Sequence, residues 1–439
     1  MAKKNISARE AALQTLQRCR RDGAWSGAAI DNAIKKYELE PREAALSARL
    51  SLGVLQNSSL CDFYIGCYCN QKLEPQVRDI LRLGVYQLLF MDRIPARAAV
   101  NETVALCGIC GCKRAVSLVN AVLRRISDNR SNLPEIPEKG TAKHLSVKYS
   151  HPEWLCQYVI DKKGYDFAEN FLRANNEPAP LNIQINTLKT DIGTYMNQLD
   201  SLGAAYTRPA HPENCLLLEG TAAFRLPGFE DGMFYVQDRA ARMSVDALKL
   251  NSGVRVLDVC SCPGGKSFAA ALAMNDEGSI TSCDIHEKKL SLVRSGAQRL
   301  GIGIIEDRPA DGREYIEEFS EAFDAVIADV PCSGMGVIGK KPEIRLKSRE
   351  EISRLPEIQN AILENVCRYV KHGGKLLYST CTVMQEENED VVYSFLSTHT
   401  DYELENISVG GVEQENGMYT FWPNIDNTDG FFFAVMRRK

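Results

Sequence analysis

The sequence predicts a multidomain chain: an N-terminal all-α domain, a small α/β middle region and a C-terminal doubly wound α/β domain. Three observations predict this. Apolar residues recur at helical spacing from Ser7 to Ile126. From Val254 onward, short β-rich runs alternate with helical stretches, the pattern of a parallel sheet with crossover helices. The length of 439 residues, 44% hydrophobic and 25% charged, suits two or three domains with ample core.

The helical spacing is clearest in Ala12, Leu13 and Leu16, and again in Val77, Ile80, Leu81, Val85, Leu88 and Leu89. Ser7 followed by Glu10 has the spacing of a capping box, and Pro41, Pro75 and Pro95 stand where helices can begin. Six or seven helices are expected over residues 1–130. The polar stretch Ser131 to Gly140, with two prolines and a glycine, reads as a linker. Residues 141–235 mix short helices with strand-like runs such as Leu181 to Asn186, and a helix follows Gln237 and Asp238. Over 236–439 the expected strands are Val254 to Val259, Ser279 to Cys283, Phe323 to Ala328 and Lys375 to Ser379. A last strand, Phe431 to Met436, follows loop-like sequence and is expected to pair antiparallel. No internal repeat stands out, which excludes a solenoid.

Net charge is −5, but residues 1–130 hold 20 Lys+Arg against 12 Asp+Glu while the remainder is acidic, so the N-terminal domain is the part suited to a polyanion. No apolar h-region follows the basic start and no run of 18 apolar residues occurs, so a soluble cytoplasmic protein is expected, with no membrane partner. Its fifteen cysteines then read as reduced thiols.

The run V-R-V-L-D-V-C-S-C-P-G-G-K-S goes from strand through a glycine-rich turn into a helix, where open α/β sheets bind ligands. A P-loop would need a glycine where Cys260 stands. Asp284, 19 residues after Gly265 at the end of the next strand, is placed to accept hydrogen bonds from ribose hydroxyls, which favours an adenosine-type cofactor. Asp258 could face the ammonium of S-adenosylmethionine, and Asp311, read as following a third strand, its adenine. Strand-end acids are often only solvated; the three together argue for the cofactor.

Asp329 and Cys332 follow the strand F-D-A-V-I-A, and Cys381 follows K-L-L-Y-S, so all converge on the same crevice. Most cysteines, Cys19 and Cys215 among them, are expected to be small buried hydrophobes. The groups Cys61, Cys67, Cys69 and Cys107, Cys110, Cys112 lie in helical sequence without a matched C-x-x-C pair, and no metal is expected. The case for Cys332 and Cys381 is chemical. Cytosine C5 is a poor nucleophile, and a thiolate added to C6 turns the ring into an enamine whose C5 attacks a sulfonium methyl. A base must then remove the C5 proton. Asp329, if buried, could stabilise charge at the N3 edge, and Lys266 could orient Asp329 or lower a thiol pKa. The residues alone do not say which cysteine attacks.

At D-V-C-S-C-P-G-G-K, C-D-I-H, A-D-G-R, D-V-P-C-S-G-M-G, Y-S-T-C-T and D-G-F-F-F-A the chain resembles the bacterial 16S ribosomal RNA cytosine-C5 methyltransferases of the Sun/Fmu (RsmB) type. H-P-E-W-L, L-N-I-Q-I-N-T-L-K and Y-V-Q-D-R-A-A resemble that family's RNA-side region, and L-R-L-G-V-Y-Q-L-L-F-M-D-R-I-P with A-V-N-E-T-V resembles its NusB-like helical domain. The resemblance implies a Rossmann-like catalytic domain, Cys381 as nucleophile and Cys332 as helper in product release. It also implies cofactor contacts from Cys260, Ser261, Cys262, Pro263, Gly264, Gly265 and Lys266, with Asp284, Asp311 and Asp329. Ser261 and Cys262 replace two alanines usual in the family, and R-A-A after Gln237 and Asp238 replaces commoner serines. The implied partner is 16S ribosomal RNA, naked or in an assembling small subunit, and a monomer is expected. The alternatives are the same chemistry on transfer RNA and a non-catalytic RNA-binding factor, which has no use for the paired cysteines. A thiol hydrolase would want a histidine partner, and His151 and His372 sit in no such motif.

Overall fold

The structure, a computed structural model, describes residues 6–219 and 223–439. They divide into two compact units: the described residues up to Glu177 with Ile338–Arg349, and Pro178–Val337 with Glu350–Lys439.

The first unit is helical: α1 (Ala8–Asp22), α2 (Ser26–Tyr37), α3 (Pro41–Gln56), α4 (Ser58–Tyr68), α5 (Pro75–Phe90), α6 (Ala96–Ile109) and α7 (Val116–Asp128). Ser7 Oγ accepts the Glu10 N–H at 3.2 Å, and α3 and α5 begin at their prolines, so the start signals in the sequence act as read. Glycines let helices close on one another: a Cβ at Gly53 would fall 2.0 Å from the Tyr86 ring. Buried Asp79 is held by Arg20 at 2.9 Å and Arg82 at 3.4 Å, so its charge is paired. Three further helices, α8 (Ala142–Tyr149), α9 (Glu153–Lys163) and α10 (Tyr165–Ala174), pack in this unit, although the sequence grouped them with the middle region. The returning segment Ile338–Arg349 contributes Glu343, whose carboxylate accepts the Ser26 N–H and Oγ–H at 3.0 and 2.6 Å and caps α2.

The second unit opens with a four-stranded antiparallel sheet in the order β2-β3-β1-β4: β1 (Leu181–Ile185), β2 (Tyr206–Thr207), β3 (Cys215–Leu218) and β4 (Phe234–Val236). Helix α11 (Ile192–Ser201) packs on it through Tyr195 and Leu199. Helix α12 (Arg239–Asp246) follows, capped by Asp238, whose carboxylate accepts the Ala240 N–H at 3.0 Å. Then come β5 (Arg255–Asp258), α13 (Gly265–Ala273), β6 (Ser279–Asp284), α14 (Glu287–Leu300), β7 (Ile305–Pro309), β8 (Phe323–Asp329), α15 (Arg349–Ile352), α16 (Leu355–Val366), β9 (Val370–Thr380) and α17 (Glu389–Thr398). The chain ends with β10 (Tyr402–Leu404), β11 (Ile407–Val409), β12 (Val412–Gln414), β13 (Met418–Phe421) and β14 (Phe431–Arg438).

The large sheet runs β10-β14-β9-β8-β5-β6-β7, parallel from β9 to β7, with β14 antiparallel to β9. The expected fold class and the antiparallel last strand are therefore both present. Two expectations need correction. The third strand, read ahead of Asp311 without bounds, is β7, and the sequence does not delimit it because its polar edge run I-E-D-R-P carries little apolar signal. The stretch before β14 is not merely loop: it holds β10 to β13, each too short to show a period. The strand order reverses between β5 and β8, so their C-terminal ends open the crevice where such sheets bind ligands.

Candidate active site

The loop from β5 to α13 is pinned on both sides of the sheet: the Val259 N–H donates to Ile327 O at 3.0 Å and the Ser261 N–H to Cys283 O at 2.8 Å. Gly264 has φ +112°, and a Cβ there would meet the Phe268 ring at 2.5 Å, so only glycine makes this turn. The loop borders two adjoining cavities of about 470 and 170 Å³. Cys260, Cys262 and Asp329 line both; Asp284, Asp311, Cys332 and Cys381 line the larger, and Asp258, Ser261, Pro263, Gly265 and Lys266 the smaller. Every predicted site residue except Gly264 thus lines one or both of these cavities.

Asp258 is fully buried and its Oδ2 accepts the Ser267 hydroxyl at 2.7 Å, while Oδ1 has no hydrogen-bond partner among the described residues. Burial pushes its pKa up to about 7 against the pull of Ser267 and Lys266. A cation set against that oxygen would favour the charged carboxylate. Asp284 Oδ1 accepts the His286 N–H at 2.8 Å, which turns the chain at the end of β6. Asp311 is forked by Arg313, at 2.6 Å from Nη2 to Oδ2, and that hydrogen bonding holds its carboxyl below the usual range. Burial pushes the Cys262 thiol up to about 12, with Asp284 adding to it, and holds Cys260 higher still, so neither is a ready nucleophile.

Lys266 is buried and its Nζ lies 2.6 Å from Asp329 Oδ2, while Ser379 Oγ donates to Asp329 Oδ1 at 2.8 Å. Asp329 is not buried as its expected role required: a third of its side chain is exposed. Lys266 and Ser379 hold this carboxylate in place by direct pairing.

Strands β8 and β9 are parallel neighbours with Asp329 opposite Ser379, so the loops leaving them carry Cys332 and Cys381 to one place. Their sulfurs are 3.1 Å apart, and the Cys381 N–H donates to Cys332 Sγ at 3.2 Å. Cys381 raises the Cys332 pKa well above its ordinary value, with burial, Glu387 and Asp329 adding to it.

Sequence reasoning missed what holds the pair. Ser333 Oγ and Thr382 Oγ1 are 2.8 Å apart, bracing the two loops beside their cysteines. Glu387 Oε2 accepts the Ser333 N–H at 2.8 Å and Gln359 Nε2 at 3.0 Å, and the same Gln359 nitrogen reaches Pro331 O. The Gly336 N–H donates to Cys381 O at 3.1 Å while Gly336 O accepts the Gly430 N–H at 2.8 Å. The only available signal was the acid-rich Q-E-E-N following Cys381.

Comparison with known proteins follows this geometry. The chain is 36% identical to the probable ribosomal RNA small subunit methyltransferase B of Bacillus subtilis (strain 168), over 99% of its own length and all of the relative's. The chain belongs to the RsmB family. Ribosomal RNA small subunit methyltransferase B of Klebsiella pneumoniae is 30% identical over the whole chain and 99% of that protein. Family models agree part by part: 16S rRNA methyltransferase RsmB/F matches residues 245–437, the NusB family 6–128, and the RsmF/B-like ferredoxin-like domain 151–225. Among solved structures, PH0851 superposes with TM-score 0.83 at 26% identity, covering 99% of this chain and all of that one. A methyltransferase homolog from Pyrococcus horikoshii follows at TM-score 0.60 and 25% identity, over 67% of this chain and 98% of that chain. As an RsmB-family methyltransferase the protein uses S-adenosylmethionine. The crevice fits that cofactor, since Asp258 offers a buried carboxylate oxygen to a cation in one cavity and Asp284 ends the second strand at the cavity beside it. Among the described residues, no helix is long and apolar enough to cross a membrane.

Proposed function

We propose that this RsmB-family enzyme methylates C5 of a cytosine in 16S ribosomal RNA through a covalent bond between Cys381 and C6 of the base. When bound, S-adenosylmethionine supplies an electrophilic methyl group. Asp258 would receive its ammonium and Asp284 its ribose hydroxyls, with the backbone from Cys260 to Gly265 closing over it. The observation that carries the reading is the pair of sulfurs 3.1 Å apart at the cofactor crevice.

The Cys381 thiolate adds to C6, and the negative charge moves into the ring toward N3 and O2. Lys266, paired with Asp329, lies on the cavity wall to offset that charge, and Asp329 is an acceptor for the cytosine amino group. Methyl transfer to C5 leaves a neutral adduct in which Cys381 is a thioether. The neighbouring charge that opposed deprotonation of Cys332 is then gone. Cys332 can lose its proton to solvent and take the C5 proton; the C5=C6 bond re-forms and the C6–S bond breaks, restoring a Cys381 thiolate beside a Cys332 thiol. The target must be single-stranded or flipped out for C6 to be reached.

The test uses methyl-labelled S-adenosylmethionine with 16S ribosomal RNA. Cys381→Ala is expected to abolish transfer while keeping cofactor affinity, and full activity in that variant would overturn the assignment. Cys332→Ala is expected to trap a protein–RNA adduct on a denaturing gel. An adduct that needs Cys332 and not Cys381 would reverse the roles.

A further inference from the structure

The helical unit carries a cavity of its own, about 720 Å³, between the segment that leads from α4 into α5 and the one that leads into α7. Leu73, Val77 and Leu118 give it apolar walls, and Lys72, Lys113 and Arg114 line it with positive charge. All three cations are exposed, and none forms an ion pair or hydrogen bond through its side chain among the described residues. They sit in the domain that holds the chain's whole basic excess. Helices α5 and α7, 16 and 13 residues long, both begin at the cavity, so the partial positive charge of two N-termini adds to that of the side chains. Glu74 is the only carboxylate on the lining.

We propose that this cavity is an RNA subsite that takes one everted nucleotide of a single-stranded segment, with its phosphates on Lys72, Lys113 and Arg114. Its volume falls in the range of pockets that enclose small organic groups. An apolar wall suits the face of a base, and a cationic rim suits the backbone on either side of it. An acidic protein segment would find the charge but has no use for the apolar depth. Glu74 adds a selectivity. A carboxylate accepts a hydrogen bond from the exocyclic amine of adenine or cytosine but faces a carbonyl at the same position of uracil. The inference rests on RNA being the substrate, and it places a contact far in sequence from the cysteines, on a unit that carries no catalytic residue.

The experiment measures binding of the full-length protein to short fluorescein-labelled oligomers of rA, rC and rU by anisotropy across a salt series. Lys72→Ala/Lys113→Ala/Arg114→Ala, all exposed changes, is expected to lose about tenfold in affinity at low salt and to flatten the logarithmic salt slope by about 2, as three lost phosphate contacts on a single strand require. Glu74→Gln is expected to narrow the preference for rA and rC over rU. Unchanged affinity and slope in the triple variant would overturn the inference, as would displacement of RNA by polyglutamate as effective as displacement by unlabelled RNA. Methyl transfer is followed in parallel: the triple variant should raise KM for RNA and keep kcat. Cys381→Ala should bind RNA normally without transfer, so a failure of the catalytic reading would appear in that arm alone.

Discussion

Asp258→Asn isolates the cost of a charge in the floor of the cofactor crevice. Asp258 is 0% exposed, and burial moves its pKa from an ordinary 3.8 to about 7. In the unfolded chain the proton leaves near the ordinary value. Between about pH 4 and 7 the folded protein therefore holds the extra proton, and stability falls as pH rises. Below that window there is no penalty, and above it the penalty is complete. A rise of about 3 pKa units corresponds to about 4 kcal/mol. Asparagine keeps the acceptor for Ser267 and has no charge to desolvate, so its stability should not follow that curve. The assay is urea unfolding of the catalytic unit followed through Trp422, with Trp25 and Trp154 replaced by Phe in both proteins. The variant is expected to gain on the parent by up to about 4 kcal/mol between acid and mildly alkaline pH. The same charge has a use: cofactor affinity in the parent should rise as pH passes through 7, and in the variant it should be weak and flat. A stability difference that does not change with pH would refute the reasoning, because it would mean that Asp258 titrates alike folded and unfolded.

Two further substitutions probe the scaffold of the cysteine pair. In Gly336→Ala the new methyl would lie 1.9 Å from Gly430 O, backbone that cannot swing aside, so the bonds to Cys381 O and from Gly430 N must open. Loss of buried hydrogen bonds of this kind costs about 1–3 kcal/mol each, so calorimetry should show a melting point lower by several degrees together with a large loss of methyl transfer. A variant that melts and turns over like the parent would show that the two loops do not need this approach. In Glu387→Gln, removing a negative charge that raises the Cys332 pKa should make that thiol easier to ionise. Mass spectrometry should then show faster iodoacetamide labelling of the Cys332 peptide at fixed pH, and slower or equal labelling would contradict the assigned influence of Glu387.

The legible parts of the fold are those whose signal is local. V-R-V-L-D and F-D-A-V-I-A announce β5 and β8 because central parallel strands are apolar on both faces. Strand β7 is at the sheet edge with mostly exposed polar side chains, so nothing in I-E-D-R-P distinguishes it from a loop. The segment Ile338–Arg349 was invisible for another reason. Its contacts are set 317 residues away, where Glu343 caps α2 at Ser26. Arg345 is likewise buried in that unit, donating to Asn176 at 2.5 Å. No window of sequence contains both partners of either contact.

The candidate site divides in the same way. That Cys332 and Cys381 meet was readable, because two parallel strands in adjacent positions deliver their following residues to one edge, and Asp329 opposite Ser379 fixes the register. What opposes a thiolate on Cys332 was not readable, because it depends on charge at a distance of a few ångströms and not on strand order. Cys332 receives the opposing fields of Cys381, Glu387 and Asp329, and of these Glu387 arrives from a turn that the strand pattern does not place. Glu387 also holds the Ser333 N–H, so one buried carboxylate both fixes the Cys332 loop and disfavours a thiolate on it. In the proposed mechanism Cys381 attacks and Cys332 serves as the base, and a Cys332 thiol whose ionisation is opposed by its surroundings agrees with that division of labour. The turn that carries Glu387 is placed by tertiary packing, which is why a sequence can bring both cysteines to the crevice and still leave their roles open.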